Sequence, residues 1–119
     1  MAVEFKEKRQ HPRFPCDTGV RIHPESGNAG YWGTVGDISL GGCYVFTFSP
    51  LPAGQAVTLE IKANDKEIAL AGKTVSSHPG VGMGIAFSGF TQEGAEEMLK
   101  KFIQHLASQP KKETIAVFH

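Results

Sequence analysis

Hydrophobic and polar residues alternate along most of the chain between residues 19 and 90, and a period of two residues predicts β-strands. The alternation is clearest in AVTLEIKA (56–63), where Val57, Leu59 and Ile61 share one face. Clusters of glycine, proline and asparagine separate the alternating stretches, as turns require. The other predicted strands are 19–24, 31–39, 43–48, 67–77 and 83–90. Six short strands at nearly regular spacing predict an antiparallel sheet that curls or closes into a small barrel.

The hydrophobic period changes at Thr91, in the stretch TQEGAEEMLKKFIQHLASQP. From there the apolar residues recur at helical spacing and form one stripe: Ala95, Met98, Leu99, Phe102, Ile103 and Leu106. Thr91 is expected to cap the start of the helix, and Pro110 to stop it. We therefore predict a C-terminal helix over about 91–108, which covers an open end or one face of the barrel.

The composition bounds the class of protein. A chain of 119 residues is long enough for one domain with its own core. Its 12 basic and 12 acidic residues give a formal net charge of zero, so no global polycation is available to hold nucleic acid. No stretch approaches the roughly 20 apolar residues of a membrane span, and the charged start MAVEFKEKRQ lacks the apolar core of a secretory signal. We expect a cytoplasmic protein without membrane insertion and without a DNA or RNA partner.

The side chains that most often bind metals show no suitable spacing. Cys16 and Cys43 form neither a zinc motif nor a disulfide framework, so two reduced thiols are expected. The five histidines are scattered along the chain. Neither a metal site nor a cofactor is predicted.

A basic, proline-containing segment precedes the first predicted strand. In KRQHPRFPC (8–16), Pro12 and Pro15 exclude a regular helix, so Arg9 and Arg13 are not neighbours on a helical face. We predict that residues 1–16 form a flexible N-terminal arm and that residues 17–108 form the barrel and the helix. The tail 109–119 is left open between a frayed end, an added strand and a partner-binding segment.

A second polar pattern, DISLGG (37–42), lies at a predicted strand end. Residues two apart on a strand point to the same face, so Asp37 and Ser39 are expected to face outward together. Arginine suits phosphate oxygens and the acceptor edge of guanine, whereas a carboxylate accepts hydrogen bonds from the N–H groups of guanine. Two arginines together with an Asp/Ser pair therefore suit a guanine nucleotide that carries phosphates.

RQHPR followed by DISLGG resembles the paired motif RxxxR and (D/N)xSxxG of the PilZ domain family. VGMGIAF (81–87) is similar to the last-strand pattern of that family, and the terminal helix fits as well, so the resemblance covers almost the whole chain. It implies a bacterial, mainly β protein with a six-stranded antiparallel β-barrel and a C-terminal α-helix. It also implies that the chain binds the second messenger cyclic di-GMP.

The resemblance implies a role for particular residues. Arg9 and Arg13 would hold the phosphates and guanine, Asp37 and Ser39 would read guanine near the phosphates, and Gly42 would keep the turn open. Many members of the family have arginine at the position of Lys8, where lysine keeps the charge but loses the bidentate fork. The implied protein is a stand-alone receptor, not an enzyme, that acts through an unknown downstream protein. A homodimer, formed through the helix or the tail, is left open.

Three other functions remain as alternatives. A protein-interaction module of the same fold would not bind nucleotide, and a small nucleic-acid-binding barrel would bind a longer chain. An enzyme would need a nucleophile and a base, for which Cys43 and His78 are a conceivable pair, but no surrounding motif supports it. Tyr31 and Trp32 are interpreted as structural, and His11 is a weak candidate for a ligand contact.

Overall fold

The computed structural model of the protein describes residues 11–27 and 29–108. The predicted ligand residues Lys8 and Arg9 and the tail 109–119 lie outside the described residues, as does most of the predicted N-terminal arm. The predictions made for those positions stay predictions.

The described residues form a closed antiparallel barrel with the strand order β1-β2-β3-β6-β5-β4, followed by one helix. The six-stranded antiparallel barrel with a C-terminal helix is therefore confirmed. The elements are β1 (Phe14–Pro24), β2 (Tyr31–Ile38), β3 (Gly42–Phe46), β4 (Ala56–Ala63), β5 (Lys66–His78), β6 (Gly82–Phe90) and α1 (Ala95–Ser108).

Strand β1 is longer than the sequence predicted, because it begins at Phe14 and not at residue 19. Pro15 pairs with Asp37 of β2, and the register shifts between Pro15 and Thr18. Proline lacks a backbone N–H and is tolerated at such irregularities of a sheet. Phe14 and Cys16, at the end of the predicted arm, pack against the core. The boundary between arm and barrel after residue 16 stays a prediction.

The barrel interior is filled by the apolar residues of each alternating strand. On β4, Val57, Leu59 and Ile61 are fully buried, while the residues between them face outward. Val20 and Ile22 of β1 belong to the same buried cluster. The period of two that predicted the strands therefore also predicted which face of them forms the core.

Helix α1 closes one end of the barrel. Its buried residues are Ala95, Leu99, Phe102 and Ile103, which join the barrel core. Met98 and Phe102 also border a small pocket with Ala63 and Ile68, so α1 lies at the barrel end that carries the β4–β5 turn. Within the described residues no helix is both long and apolar enough to cross a membrane.

The start of α1 differs from the prediction. Gly94 has a φ of +83°, and its carbonyl accepts the N–H of Met98, so Gly94 and not Thr91 stands at the N-cap position. Thr91 instead donates its backbone N–H to the carbonyl of Ala69 at 3.2 Å, and the Gln92 side chain accepts the N–H of Ala69 at 3.1 Å. These bonds hold residues 91 and 92 against β5 and delay the helix to Ala95.

Candidate functional site

A polar groove of about 500 Å³ lies on the outer wall of the barrel. Arg13, Ser39 and Gly42, which the sequence singled out, line it together. Tyr44, Ser76 and Gly84 line it as well, and none of the three was predicted to contact a ligand. The groove therefore joins the segment before β1 and the β2–β3 turn to strands β3, β5 and β6.

Arg13 and Asp37 face each other beside this groove. Arg13 Nη1 lies 3.9 Å from Asp37 Oδ1, which is an ion pair but is too long for a direct hydrogen bond. The Arg13 side chain is 70% exposed and the Asp37 side chain 35%. Asp37 Oδ1 is itself buried and has no hydrogen-bond partner among the described residues. The pair thus places the exposed Arg13 guanidinium beside a carboxylate oxygen that accepts no hydrogen bond from the described residues.

Ser39 has a structural role in the β2–β3 turn. Its Oγ accepts the backbone N–H groups of Gly41 at 3.0 Å and Gly42 at 3.2 Å, and its own N–H donates to the carbonyl of Gly42 at 2.8 Å. Ser39 is only 5% exposed. The expectation that Asp37 and Ser39 face outward together is wrong, because β2 ends at Ile38 and the alternation does not extend to Ser39. Its role as a ligand residue stays a prediction.

Gly42 is pressed against strand β6. A Cβ on Gly42 would stand 2.4 Å from the carbonyl oxygen of Ile85, which is closer than any real contact. The carbonyl of Gly41 accepts the N–H of Phe87 at 2.9 Å, which also holds this turn close to β6. A Cβ on Gly41 would meet the His11 ring at 3.0 Å, so His11 lies on this turn. The two glycines hold the edge of the groove close to the backbone of β6.

Both cysteines lie near this site as neutral thiols. Burial, together with the smaller effect of the negative charges of Asp37 and Asp17, raises the pKa of Cys16 from 9 to about 11. Burial also raises the pKa of Cys43, which belongs to the core. A thiol that stays protonated at neutral pH is a poor nucleophile.

The structure does not bring Cys43 and His78 together as a nucleophile and its base. Cys43 is buried among core residues, whereas His78 is exposed and bonds the Tyr44 hydroxyl at 2.9 Å through Nδ1. Within the described residues no group of three or more His, Cys, Asp or Glu side chains is placed to hold a metal ion. The catalytic alternative thus has no supporting geometry at these two residues.

Trp32 lies on a different part of the wall. It pairs with Arg21 across β1 and β2, and the Arg21 guanidinium and the Lys62 ammonium lie 5.7 and 5.5 Å from its ring centroid. Although Trp32 is 53% exposed, these contacts with neighbouring strands agree with a structural role.

Fold and groove together define a small β-barrel domain with a polar groove on its outer wall. The sequence model of the PilZ domain family matches residues 7–105, so the chain belongs to the PilZ domain family. A comparison with curated proteins finds no match.

Solved structures of PilZ proteins share the fold. The PilZ domain of YcgR from Escherichia coli, solved with cyclic di-GMP, has a TM-score of 0.68 and 15% identity, over 92% of this chain and 99% of that one. The PilZ domain of CeSA from a cellulose-synthesizing bacterium has a TM-score of 0.62 and 20% identity, over 80% and 97%. The MrkH–cyclic di-GMP complex of K. pneumonia has a TM-score of 0.69 and 19% identity, over 88% of this chain but 54% of that one. At these identities the likeness concerns the fold.

Proposed function

We propose that this PilZ domain binds cyclic di-GMP in the groove and relays the signal by a change of conformation or of partner. The observation that carries the proposal is the Arg13–Asp37 pair beside the groove, with the Arg13 side chain exposed and Asp37 Oδ1 buried without a hydrogen bond to any described residue. The complexes of YcgR and MrkH with cyclic di-GMP support the choice of ligand, since both proteins share this fold.

The chemistry of the two side chains fits the two parts of this ligand. The planar guanidinium of Arg13 suits a phosphate or the O6/N7 edge of guanine, and it has room to move because it is mostly exposed. The carboxylate of Asp37 suits the adjacent N1–H and N2–H₂ donors of guanine. The N–H groups of guanine would then donate to Asp37 Oδ1, which lies 3.9 Å from Arg13 Nη1 and so is not hydrogen-bonded to it.

The remaining predicted residues have supporting roles in this proposal. Ser39 and Gly42 shape the turn that borders the groove, and Gly42 keeps its edge free of side chains. Lys8 and Arg9 are assigned from the family motif alone, as further phosphate ligands. A downstream protein or a second copy of the chain would receive the signal.

Calorimetric titration with cyclic di-GMP at moderate salt tests the proposal. The wild-type chain is expected to bind saturably, and Arg9→Ala, Arg13→Ala and Asp37→Ala are each expected to weaken binding by about 1.5–3 kcal/mol, the usual contribution of a charge-assisted hydrogen bond. Two matched controls lie outside the groove: Arg21→Ala, whose guanidinium lies beside Trp32, and Asp65→Ala in the β4–β5 turn. Both are expected to bind as the wild type does.

Other outcomes of the same titration separate the alternatives. Unchanged affinity in Arg13→Ala would remove the proposed site. Binding of a single-stranded oligonucleotide without binding of cyclic di-GMP would instead favour the nucleic-acid barrel. If neither ligand binds, the interaction module is the better description.

A further inference from the structure

We infer that Tyr44 is a stacking platform for the purine base whose edge meets Asp37, and that Gly84 and the Ser76 hydroxyl form a low floor beside it. This inference rests on the proposed function, because it extends the same groove to residues outside the RxxxR and DxSxxG motifs. It assigns a ligand contact to a side chain that the sequence analysis did not single out.

The strand register places these residues in one row across the barrel wall. Asp37 pairs with Tyr44, Tyr44 with Gly84, and Gly84 with Ser76. Neighbouring strands are spaced by about 4.8 Å, so the row from β2 to β5 spans about 14 Å. Tyr44 is therefore the next position beside Asp37, within reach of the same base.

The Tyr44 ring is held in place by contacts on several sides. It extends over β6, because a Cβ on Gly82 would come within 2.8 Å of Tyr44 Cε2. The hydroxyl bonds His78 Nδ1 at 2.9 Å, and the Phe46 ring meets Tyr44 edge-on, with centroids 5.5 Å apart. A ring that is fixed before binding loses little conformational freedom when a base stacks on it.

The wall next to Tyr44 is low at Gly84, where the Ser76 hydroxyl and a Val75 methyl are the atoms nearest to the position of a Cβ. Gly84 has only a hydrogen at the corresponding position, and a Cβ there would stand 2.7 Å from Ser76 Oγ. That same Oγ accepts the N–H of Gly84 at 3.2 Å, so Ser76 is tied down beside the floor. A base that lies flat over Tyr44 and Gly84 would thus direct its edge along the row toward Asp37.

Stacking and edge recognition contribute different parts of the binding. Every nucleobase has a π-face, so an aromatic platform adds affinity with little sequence preference. Asp37 selects guanine, because its carboxylate accepts hydrogen bonds from the N–H groups of that base. The arrangement accounts for a half-buried tyrosine on the wall of a groove that also carries Arg13, two serines and three glycines.

The test is a titration of cyclic di-GMP into two variants at Tyr44. Tyr44→Ala is expected to lose at least about tenfold in affinity, because stacking on an aromatic ring is removed. Tyr44→Phe keeps the ring and is expected to stay within about threefold of the wild type. Phe48→Ala is a matched control, since Phe48 is 88% exposed and lies in a separate cleft with Trp32. Its affinity is expected to be unchanged.

A second measurement on the wild-type chain does not depend on the folding of a variant. Nuclear Overhauser contacts between the guanine H8 and the Tyr44 ring protons are expected in the complex. Their absence in a saturated complex would overturn the inference, as would wild-type affinity of Tyr44→Ala or an equal loss in Tyr44→Phe. Each of these results, with Arg13→Ala still weakened, would leave the proposed function standing. Failure of the wild-type chain to bind cyclic di-GMP would overturn both.

Discussion

At the scale of single residues, Asp37 acts on two neighbours. It stands 3.9 Å from the Arg13 guanidinium, and its negative charge contributes to the raised pKa of Cys16. Burial is the larger cause of that raised pKa, and Asp17 adds a smaller part. The Cys16 thiol therefore reports on the charge state of the proposed ligand residue.

This coupling predicts the pH dependence of Cys16 alkylation. With a pKa of about 11, the reactive thiolate of Cys16 is scarce at pH 8 and increases as the pH rises toward 11. Asp37→Asn removes a negative charge, lowers the pKa of Cys16 and is expected to move the iodoacetamide rate profile to lower pH. The pKa should stay above 9, since burial persists. Peptide mass spectrometry would follow Cys16 separately from Cys43.

The matched control for this experiment is Asp65→Asn, which removes an acid in the β4–β5 turn that is not among the causes of the Cys16 pKa. Its profile is expected to coincide with that of the wild type. A profile of Asp37→Asn that also coincides with the wild type would contradict the electrostatic coupling.

Part of the proposed site was predicted from the sequence at this scale. Arg13 and Asp37 were predicted from motif and side-chain chemistry, and the structure does place them together. The orientation of Ser39 was not predictable, because its hydroxyl satisfies two N–H groups of a turn that begins where the strand period ends. Tyr44 was overlooked because its neighbours Gly84 and Ser76 belong to strands that are distant in the sequence.

At the scale of elements, the close contact of β3 with β6 sets the edge of the groove. Gly42 pairs with Ala86, and any Cβ at Gly42 would overlap the Ile85 carbonyl. Gly89, also on β6, has nothing within 4 Å of the position where a Cβ would be. Two glycines in the same sheet thus differ in whether the fold requires them.

This difference predicts opposite outcomes for two alanine substitutions. Gly42→Ala is expected to lower the free energy of unfolding by about 1–3 kcal/mol, since two backbones must separate. Gly89→Ala is expected to stay within about 0.5 kcal/mol of the wild type. Urea unfolding followed by circular dichroism measures both. Equal stability of the two variants would show that the β3–β6 contact relaxes without cost and that Gly42 has no packing role.

The sequence pattern predicted an element correctly where the residues of that element and its adjoining turns determine its bounds. The predicted strand 56–63 coincides with β4, because its alternation is unbroken and a turn follows it. The start of β1 was missed since prolines argued against regular structure, whereas Pro15 is accommodated next to a shift of register. The start of α1 was missed because Thr91 and Gln92 bond to β5, a contact that their own neighbourhood does not reveal.

At the scale of the whole molecule, the groove connects the start of β1 to most of the sheet. Arg13 directly precedes β1, and Phe14 packs against the core that α1 also covers. The opposite wall of the barrel is formed by β4, which contacts β1 and β5 but not the groove. A ligand held by Arg13 and the groove wall would therefore tie the segment before β1 to β2 and β3.

Hydrogen exchange tests whether ligand binding acts through this segment. Lys8, Arg9 and Arg13 carry like charges, and the two phosphates of cyclic di-GMP would neutralise their mutual repulsion. Backbone amides within residues 6–16 are therefore expected to exchange more slowly when the ligand is added, while those of β4 stay unchanged.

The Arg13→Ala chain at the same ligand concentration serves as the control, and its exchange in residues 6–16 is expected to change less because fewer molecules are occupied. The informative comparison is at saturation of the wild type, confirmed by titration. If exchange in residues 6–16 then equals that of the ligand-free chain, ligand binding does not order this segment, and the signal is not transmitted through it. Slower exchange confined to β3 and β6 would instead place the response in the wall that carries Tyr44.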